Sequence, residues 1–265
     1  MTDRFPVTQE QLACYQEDGF LVIEQLFDQE EMNLLRDIAR SDQQLAAEAK
    51  RRRDGGTGEA KLTVRNELDE NIYSAFVRSH RIVDPMEQFL GGEVYHYHHK
   101  MNFKEPEVGG AWEWHQDYGY WYNNGCLYPL MASCMIAVDA ATRENGCLQV
   151  LRGSHLLGRI NHGPIGDQTG ADPEQVQVAL ERLERVYCEI EPGSAIFFHC
   201  NLLHASDQNC SPDPRWALIC CYNAARNDPY KESHHPRYSF LEKWPERRIR
   251  EIGAQQRVSL EADES

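Results

Sequence analysis

From residue 93 to residue 222 the chain breaks into short strand-like runs, at 93–103, 133–138, 147–151, 195–200 and 217–222, separated by Gly, Pro and Asn turns. Runs of this length bounded by such turns pattern as antiparallel β-structure, which commits the middle of the chain to a sandwich or barrel. One helical insertion, about 173–185, interrupts it. Ahead of the strands the pattern is mostly helical. Residues 8–18 read as a short helix closed by Gly19, and 20–23 as a strand. Asp28 and Glu31 resemble a capping box opening a helix with Met32, Leu35, Ile38 and Ala39 at helical spacing. That helix is expected to fade near the 51–58 loop, with the basic run Lys50–Arg53 as a solvated helix end. A further helix is predicted over 72–90, stopping at Gly91-Gly92.

At 265 residues the chain can bury one large core. The expectation is a single α+β, mainly β domain over 1–265: helical support at 1–92, a core at 93–227 and a polar, Pro- and Tyr-containing wrap at 228–265. A hydrophobic content of 41% with 26% charged residues excludes a disordered or fibrous chain. The formal net charge of -15 repels nucleic acid and anionic membranes at long range. No apolar run approaches the roughly 20 residues that span a bilayer, and the start MTDRFPVTQEQ lacks the layout of a signal peptide. A cytoplasmic protein is expected, monomer or homodimer, acting on a small molecule without nucleic acid or membrane. The nine cysteines include no C-x-x-C, so reduced and mostly buried thiols are expected.

The most informative stretch is Trp112-Glu-Trp-His115-Gln-Asp117-Tyr-Gly-Tyr-Trp121. An imidazole and a carboxylate two apart at the end of an extended run share a face. Together they supply two ligands of a facial triad, which needs a second His from elsewhere and leaves metal positions open. Alone, such a pair often just satisfies its own hydrogen bonds. The second His has two candidates, His199 and His204, in the segment that follows the Pro192-Gly193 turn. His204 is favoured, because Arg215 then lies where the next strand begins, and its guanidinium can hold a dicarboxylate in a bidentate contact.

Taken jointly, these residues resemble the phytanoyl-CoA dioxygenase family, which also includes ectoine and organophosphonate hydroxylases. The resemblance runs from Asp18-Gly-Phe-Leu-Val-Ile23, through Phe103-Lys-Glu-Pro106 and the H-x-D pair, to Glu144-Asn-Gly146, Gly153-Ser-His155 and the His204 to Arg215 spacing. It implies a double-stranded β-helix, or jelly roll, flanked by N-terminal helices. It implies oxidative decarboxylation of 2-oxoglutarate with O2, coupled to hydroxylation, with release of succinate and CO2. His115, Asp117 and His204 would bind Fe(II), and Arg215 and Ser206 would bind the far carboxylate of 2-oxoglutarate. Asn102 would stand near the same co-substrate. His98 and Lys100 alternate with Asn102 and so share its face, and an inward Lys100 needs an anionic partner.

On the substrate side the resemblance points to Trp121, while Tyr118, Tyr120 and Tyr122 can form a cation-π cage. His155 and His162 read as structural, and His234 and His235 as solvent-exposed. The flank of the H-x-D pair differs from that of ectoine hydroxylases and of phytanoyl-CoA hydroxylases. An acidic surface does not attract an acyl-CoA, so a small polar or zwitterionic substrate is favoured. Of two other readings, halogenation fits poorly because Asp117 fills the position a halide needs, and a non-redox jelly-roll binding protein leaves Arg215 and Ser206 without a dicarboxylate to recognise.

Overall fold

A computed structural model of the chain describes residues 4–56 and 58–263. Helix α1 (Gln9–Asp18) is capped by Thr8, whose side chain and that of Gln11 exchange hydrogen bonds with each other's backbone, and ends on Gly19 at φ 82°. Strand β1 (Phe20–Ile23) follows. Asp28 and Glu31 form the reciprocal cap of α2 (Gln29–Ser41), which buries Met32, Leu35, Ile38 and Ala39.

Here the chain departs from the expectation of one helix fading into a loop. A short α3 (Gln43–Glu48), capped by Asp42, precedes a hairpin of β2 (Lys50–Arg53) and β3 (Glu59–Arg65). The basic run is an edge strand, not a helix end. All four of its side chains are exposed, so it carries no period-2 signal, and edge strands favour such charge because it blocks further pairing. The helix predicted over 72–90 is two, α4 (Ile72–Val77) and α5 (His80–Leu90). Ser79 breaks it by accepting the N–H of Arg81 as a new N-cap.

The strands that follow are β4 (Val94–Lys104), β5 (Trp112–His115), β6 (Met131–Ala137) and β7 (Leu148–Leu151), with α6 (Tyr118–Trp121) after β5. A hairpin of β8 (His162–Ile165) and β9 (Gln168–Ala171) leads to α7 (Pro173–Arg182). The set closes with β10 (Arg185–Cys188), β11 (Ala195–His199), β12 (His204–Ser206) and β13 (Arg215–Ala224). One sheet runs β1-β11-β6-β13-β4-β3-β2 and a second, facing it, runs β10-β7-β12-β5, all pairs antiparallel. This is a double-stranded β-helix with helices on the outer face of its larger sheet.

Alternation along the strands sends side chains to two cores. Phe197, Cys134 and Leu218 pack against Met32, Phe76 and Met86 on the helix side, while Phe198, Met135 and Ala217 pack with Leu148 and Val150 between the sheets. Because both faces of the large sheet are covered, its strands read as nearly continuous apolar runs. A buried pair between Arg81 and Glu31, at 2.9 and 2.5 Å, ties α5 to α2 beneath that sheet.

The C-terminal stretch is only partly the expected wrap. Residues 228–246 cross the surface without regular structure, but Arg247–Asp263 is a helix, α8, that sets Ile249 and Ile252 against α2 and α4. Its larger apolar residues, Ile249, Ile252, Val258 and Leu260, are spread thinly among charged and amide side chains and carry too little periodic signal to announce it. Among the described residues no helix is long and apolar enough to cross a membrane. All nine cysteines are free, with only Cys14 and Cys210 exposed.

Candidate active site

The pairing register of β5 with β12 sets His115 directly opposite His204, with ring centroids 4.1 Å apart. Asp117 joins them by a different route from the one expected. Strand β5 ends at His115 and Asp117 has helical φ and ψ of -55° and -40° at the start of α6, so a helical turn, not strand alternation, swings its carboxylate inward. One ligand atom from each of His115, Asp117 and His204 lies within 4.8 Å of the others, and all three residues line one cavity. The turn is pinned by Gln116, whose buried side chain bonds Gly158 O, Asn201 O and Ile160 N, and whose own N–H donates to His162 Nε2 at 2.9 Å.

The donor set fits a metal. His115 Nδ1 lies 2.6 Å from Glu113 O and His204 Nδ1 2.9 Å from Leu202 O. A carbonyl only accepts, so each Nδ1 carries the proton and each Nε2 keeps a free lone pair. Burial, reinforced by the neighbouring His204, pulls His115 down to about 3, and burial also lowers His204. Both are therefore the neutral imidazoles that a metal requires near neutral pH. Burial works against the Asp117 charge, yet Lys100, His204, His115 and the Tyr120 hydroxyl together hold its carboxyl well below the usual range. Tyr120 OH donates to Asp117 Oδ1 at 2.7 Å and Ser133 Oγ to Oδ2 at 3.1 Å.

Arg215, Ser206, Asn102 and Trp112 form one end of the same cavity. Arg215 begins β13 opposite Lys104 and donates from Nη2 to Gly146 O at 2.7 Å. Gly146, at φ 75°, cannot carry a side chain, since a Cβ would meet Asp207 O at 2.3 Å. Behind it the buried Lys104 Nζ donates to Gly110 O and Asp207 O, and burial beside Arg215 lowers its pKa well below the usual lysine value. Burial lowers Arg215 to about 10, which leaves it charged at neutral pH. Arg215 Nε, Ser206 Oγ, Asn102 Oδ1 and Trp112 Nε1 are all buried without a partner among the described residues. Buried polar atoms are nearly always satisfied, so four orphans from two facing sheets that line one cavity mark a place built for a polar ligand.

Lys100 lines the cavity farther along β4, with Nζ 3.7 Å from Asp117 Oδ1. His98 shares its side of the strand but lies off the cavity wall. It is buried with both ring nitrogens unpaired among the described residues, 5.5 Å from Trp121 and stacked at 4.6 Å on His235. His235 is thus half-buried, not the free solvent residue expected, while His234 is exposed. His199 accepts the N–H of Asn201 and packs near His155, away from the other ligands.

The structure does not gather the three tyrosines into a cage. Tyr118 donates to Cys126 O, Tyr122 is exposed, and only Tyr120 reaches the cavity. They lie on a helical turn, where residues two apart point away from each other. Trp121, 1% exposed, packs with Tyr97 behind the wall and not on it. Trp112 and Ser133 escape sequence reading altogether. Trp112 meets Ser206 only through the β5–β12 register, and Ser133 meets Asp117 only through the facing of the two sheets.

Comparison with known proteins agrees with this architecture. L-proline trans-4-hydroxylase of Streptomyces griseoviridis is 32% identical over 192 residues, 66% of this chain and 70% of that protein. Ectoine dioxygenase of Bordetella parapertussis is 29% identical over 247 residues, 86% of this chain and 80% of that one. The crystal structure of EctD from S. alaskensis with bound Fe superposes with a TM-score of 0.76 at 24% identity, over 92% of this chain and 89% of that one. The structure of EctD with 2-oxoglutarate and 5-hydroxyectoine gives 0.75 at 23% identity over the same shares. The pattern of the family described as phytanoyl-CoA dioxygenase (PhyH) matches residues 15–217, well over half of the sequence, and the chain belongs to that family.

Proposed function

We propose that the protein is an Fe(II)- and 2-oxoglutarate-dependent dioxygenase that hydroxylates a small polar or zwitterionic molecule. The observation that carries this reading is one cavity with two unlike polar sets: three metal ligands in their coordinating protonation states, and beside them a buried guanidinium with three further polar atoms unpaired among the described residues. His115, Asp117 and His204 would hold the iron, which with 2-oxoglutarate and O2 supplies the oxidising power of the reaction. Arg215 and Ser206 grip the distal carboxylate of the co-substrate, and Asn102 and Trp112 orient it.

Tyr120 and Ser133 fix the Asp117 carboxylate so that both of its oxygens are aimed before any ligand arrives. Met135, Leu148, Phe198 and Ile219 supply an apolar wall that keeps bulk water from the reacting atoms. Relatives named for ectoine and for L-proline support a substrate of that size, since both molecules are small zwitterions. Succinate formation from 2-oxoglutarate, stimulated by a small amino acid or cyclic zwitterion, is the expected activity. A screen in which no such compound stimulates succinate release above the uncoupled rate would remove this substrate class.

A further inference from the structure

We propose that Lys100 is the anchor for a carboxylate of the molecule that is hydroxylated, and not a ligand of 2-oxoglutarate. This rests on the function proposed above and narrows its substrate to small carboxylic acids, amino acids included.

Two cations, Lys100 and Arg215, stand on the cavity wall. The register of β13 with β4 separates them, because Arg215 pairs with Lys104 and Ile219 with Lys100. Four residues of strand put these pairs roughly 13 Å apart. Arg215 has the unpaired atoms of Ser206, Asn102 and Trp112 around it, the making of a site for one carboxylate. Lys100 instead lies beside the metal ligand Asp117.

Its ammonium is available. The side chain keeps 15% of its surface open, against 3% for Asp117, and at 3.7 Å it stands beyond hydrogen-bond reach of Asp117 Oδ1. Its one acidic neighbour among the described residues is Asp117, in a long ion pair. Asp117 is already engaged by Tyr120 and Ser133. The Trp121 ring, 5.7 Å from Nζ, backs the charge from the side away from the cavity.

Charge balance decides what the ammonium faces. In the loaded site the dication, the Asp117 carboxylate, the 2-oxoglutarate dianion and the Arg215 guanidinium cancel among themselves. Lys100 then leaves one net positive charge in a cavity whose lining also includes the apolar Leu62, Met135, Phe198 and Ile219. A buried cation without a partner is costly, and an anionic group on the incoming substrate removes that cost. A substrate without one leaves it standing, so the same residue selects as well as binds.

The test uses anaerobic protein loaded with Fe(II) and 2-oxoglutarate, and a panel of small amino acids, L-proline among them, each paired with its primary carboxamide. Binding is read by calorimetry, without turnover. The first titration, 2-oxoglutarate into the Fe(II) protein, stands or falls with the proposed function alone. In the second, at least one free acid binds and its amide binds about tenfold to a hundredfold more weakly. Lys100→Met abolishes that preference while 2-oxoglutarate affinity stays within about twofold, and Lys100→Arg retains the preference. The acid-to-amide ratio in the unmodified protein needs no variant to fold. Amides that bind as well as acids, a panel in which no acid binds, or a Lys100→Met protein that loses 2-oxoglutarate affinity would each overturn the assignment.

Discussion

At the Arg215 end of the cavity the polar groups are held by the backbone of paired strands, whereas at the Lys100 end a single flexible ammonium is backed by rings. Arg215 is locked to Gly146 O, with Lys104 bracing the two segments behind it. Lys100 has Trp121, His98 and His235 around it and touches none of them through a hydrogen bond. Rigid, prepaid geometry suits a ligand that never changes, as 2-oxoglutarate would be. A mobile charge on an apolar wall suits one that differs between relatives, and the relatives' names differ in just that respect.

The comparison breaks most completely at the group between the two ends. Asp117→Ala is expected to lower turnover at least about a hundredfold and to cut bound iron, with far-UV circular dichroism unchanged, because the carboxylate is both ligand and counter-charge. Iron content and succinate release measure this together, and turnover above about a tenth of the unmodified rate would deny the ligand role.

Arg215→Lys sharpens the contrast between the ends. It keeps the charge but loses the planar fork, at about 1.5–3 kcal/mol, so the Michaelis constant for 2-oxoglutarate should rise about tenfold to a hundredfold. Iron content should stay normal. An unchanged constant would place the co-substrate's carboxylate elsewhere in the cavity.

Tyr120→Phe should act on the metal and spare both ends. Removing the hydroxyl that orients Asp117 Oδ1 is expected to weaken iron binding by about tenfold, with 2-oxoglutarate affinity unchanged in iron-saturated protein. A loss of 2-oxoglutarate affinity in that protein would mean that Tyr120 serves the co-substrate instead.

The last effect is on stability against pH, and it separates the ends by position. Burial holds His99 at about 3 and His98 well below its usual value, so both are neutral in the fold. Their folded values lie under the unfolded one of about 6.5, so as pH falls the unfolded chain takes up more protons. The stability they contribute is complete above about 6.5 and is lost as pH falls below it, at about 1.4 kcal/mol per pH unit for each histidine. Hydrogen-exchange protection along β4 should therefore drop between pH 6.5 and 5 first around His98 and later around Asn102, where no histidine lies on the strand. Equal loss along the whole strand would contradict this.

What the sequence disclosed follows from the range of the signal. Residues 133–138 and 195–200 announce strands because a short apolar run bounded by turns is a local signal. His115, Asp117, His204 and Arg215 stand out because their side-chain chemistry is rare in such positions. Long-range register is invisible, and so Trp112 and Ser133, which reach the site only through partners far away in the chain, were hidden. The same limit explains Tyr118 and Trp121. Whether residues 118–121 continue the strand or turn into a helix decides which tyrosine faces the cavity, and Gln116, held by distant backbone at Gly158 and Asn201, makes that decision. Strand β2 and helix α8 went unread for want of apolar periodicity.

The central claim, that the unpaired atoms around Arg215 form a 2-oxoglutarate site beside a metal held by His115, Asp117 and His204, is tested most directly by anaerobic calorimetry of 2-oxoglutarate into Fe(II)-loaded protein. The expected result is saturable binding at one molecule per chain, weakened about tenfold or more when the metal is left out or Arg215 is replaced by Lys. Absence of binding to the iron-loaded protein, or an affinity indifferent to both metal and Arg215, would contradict it.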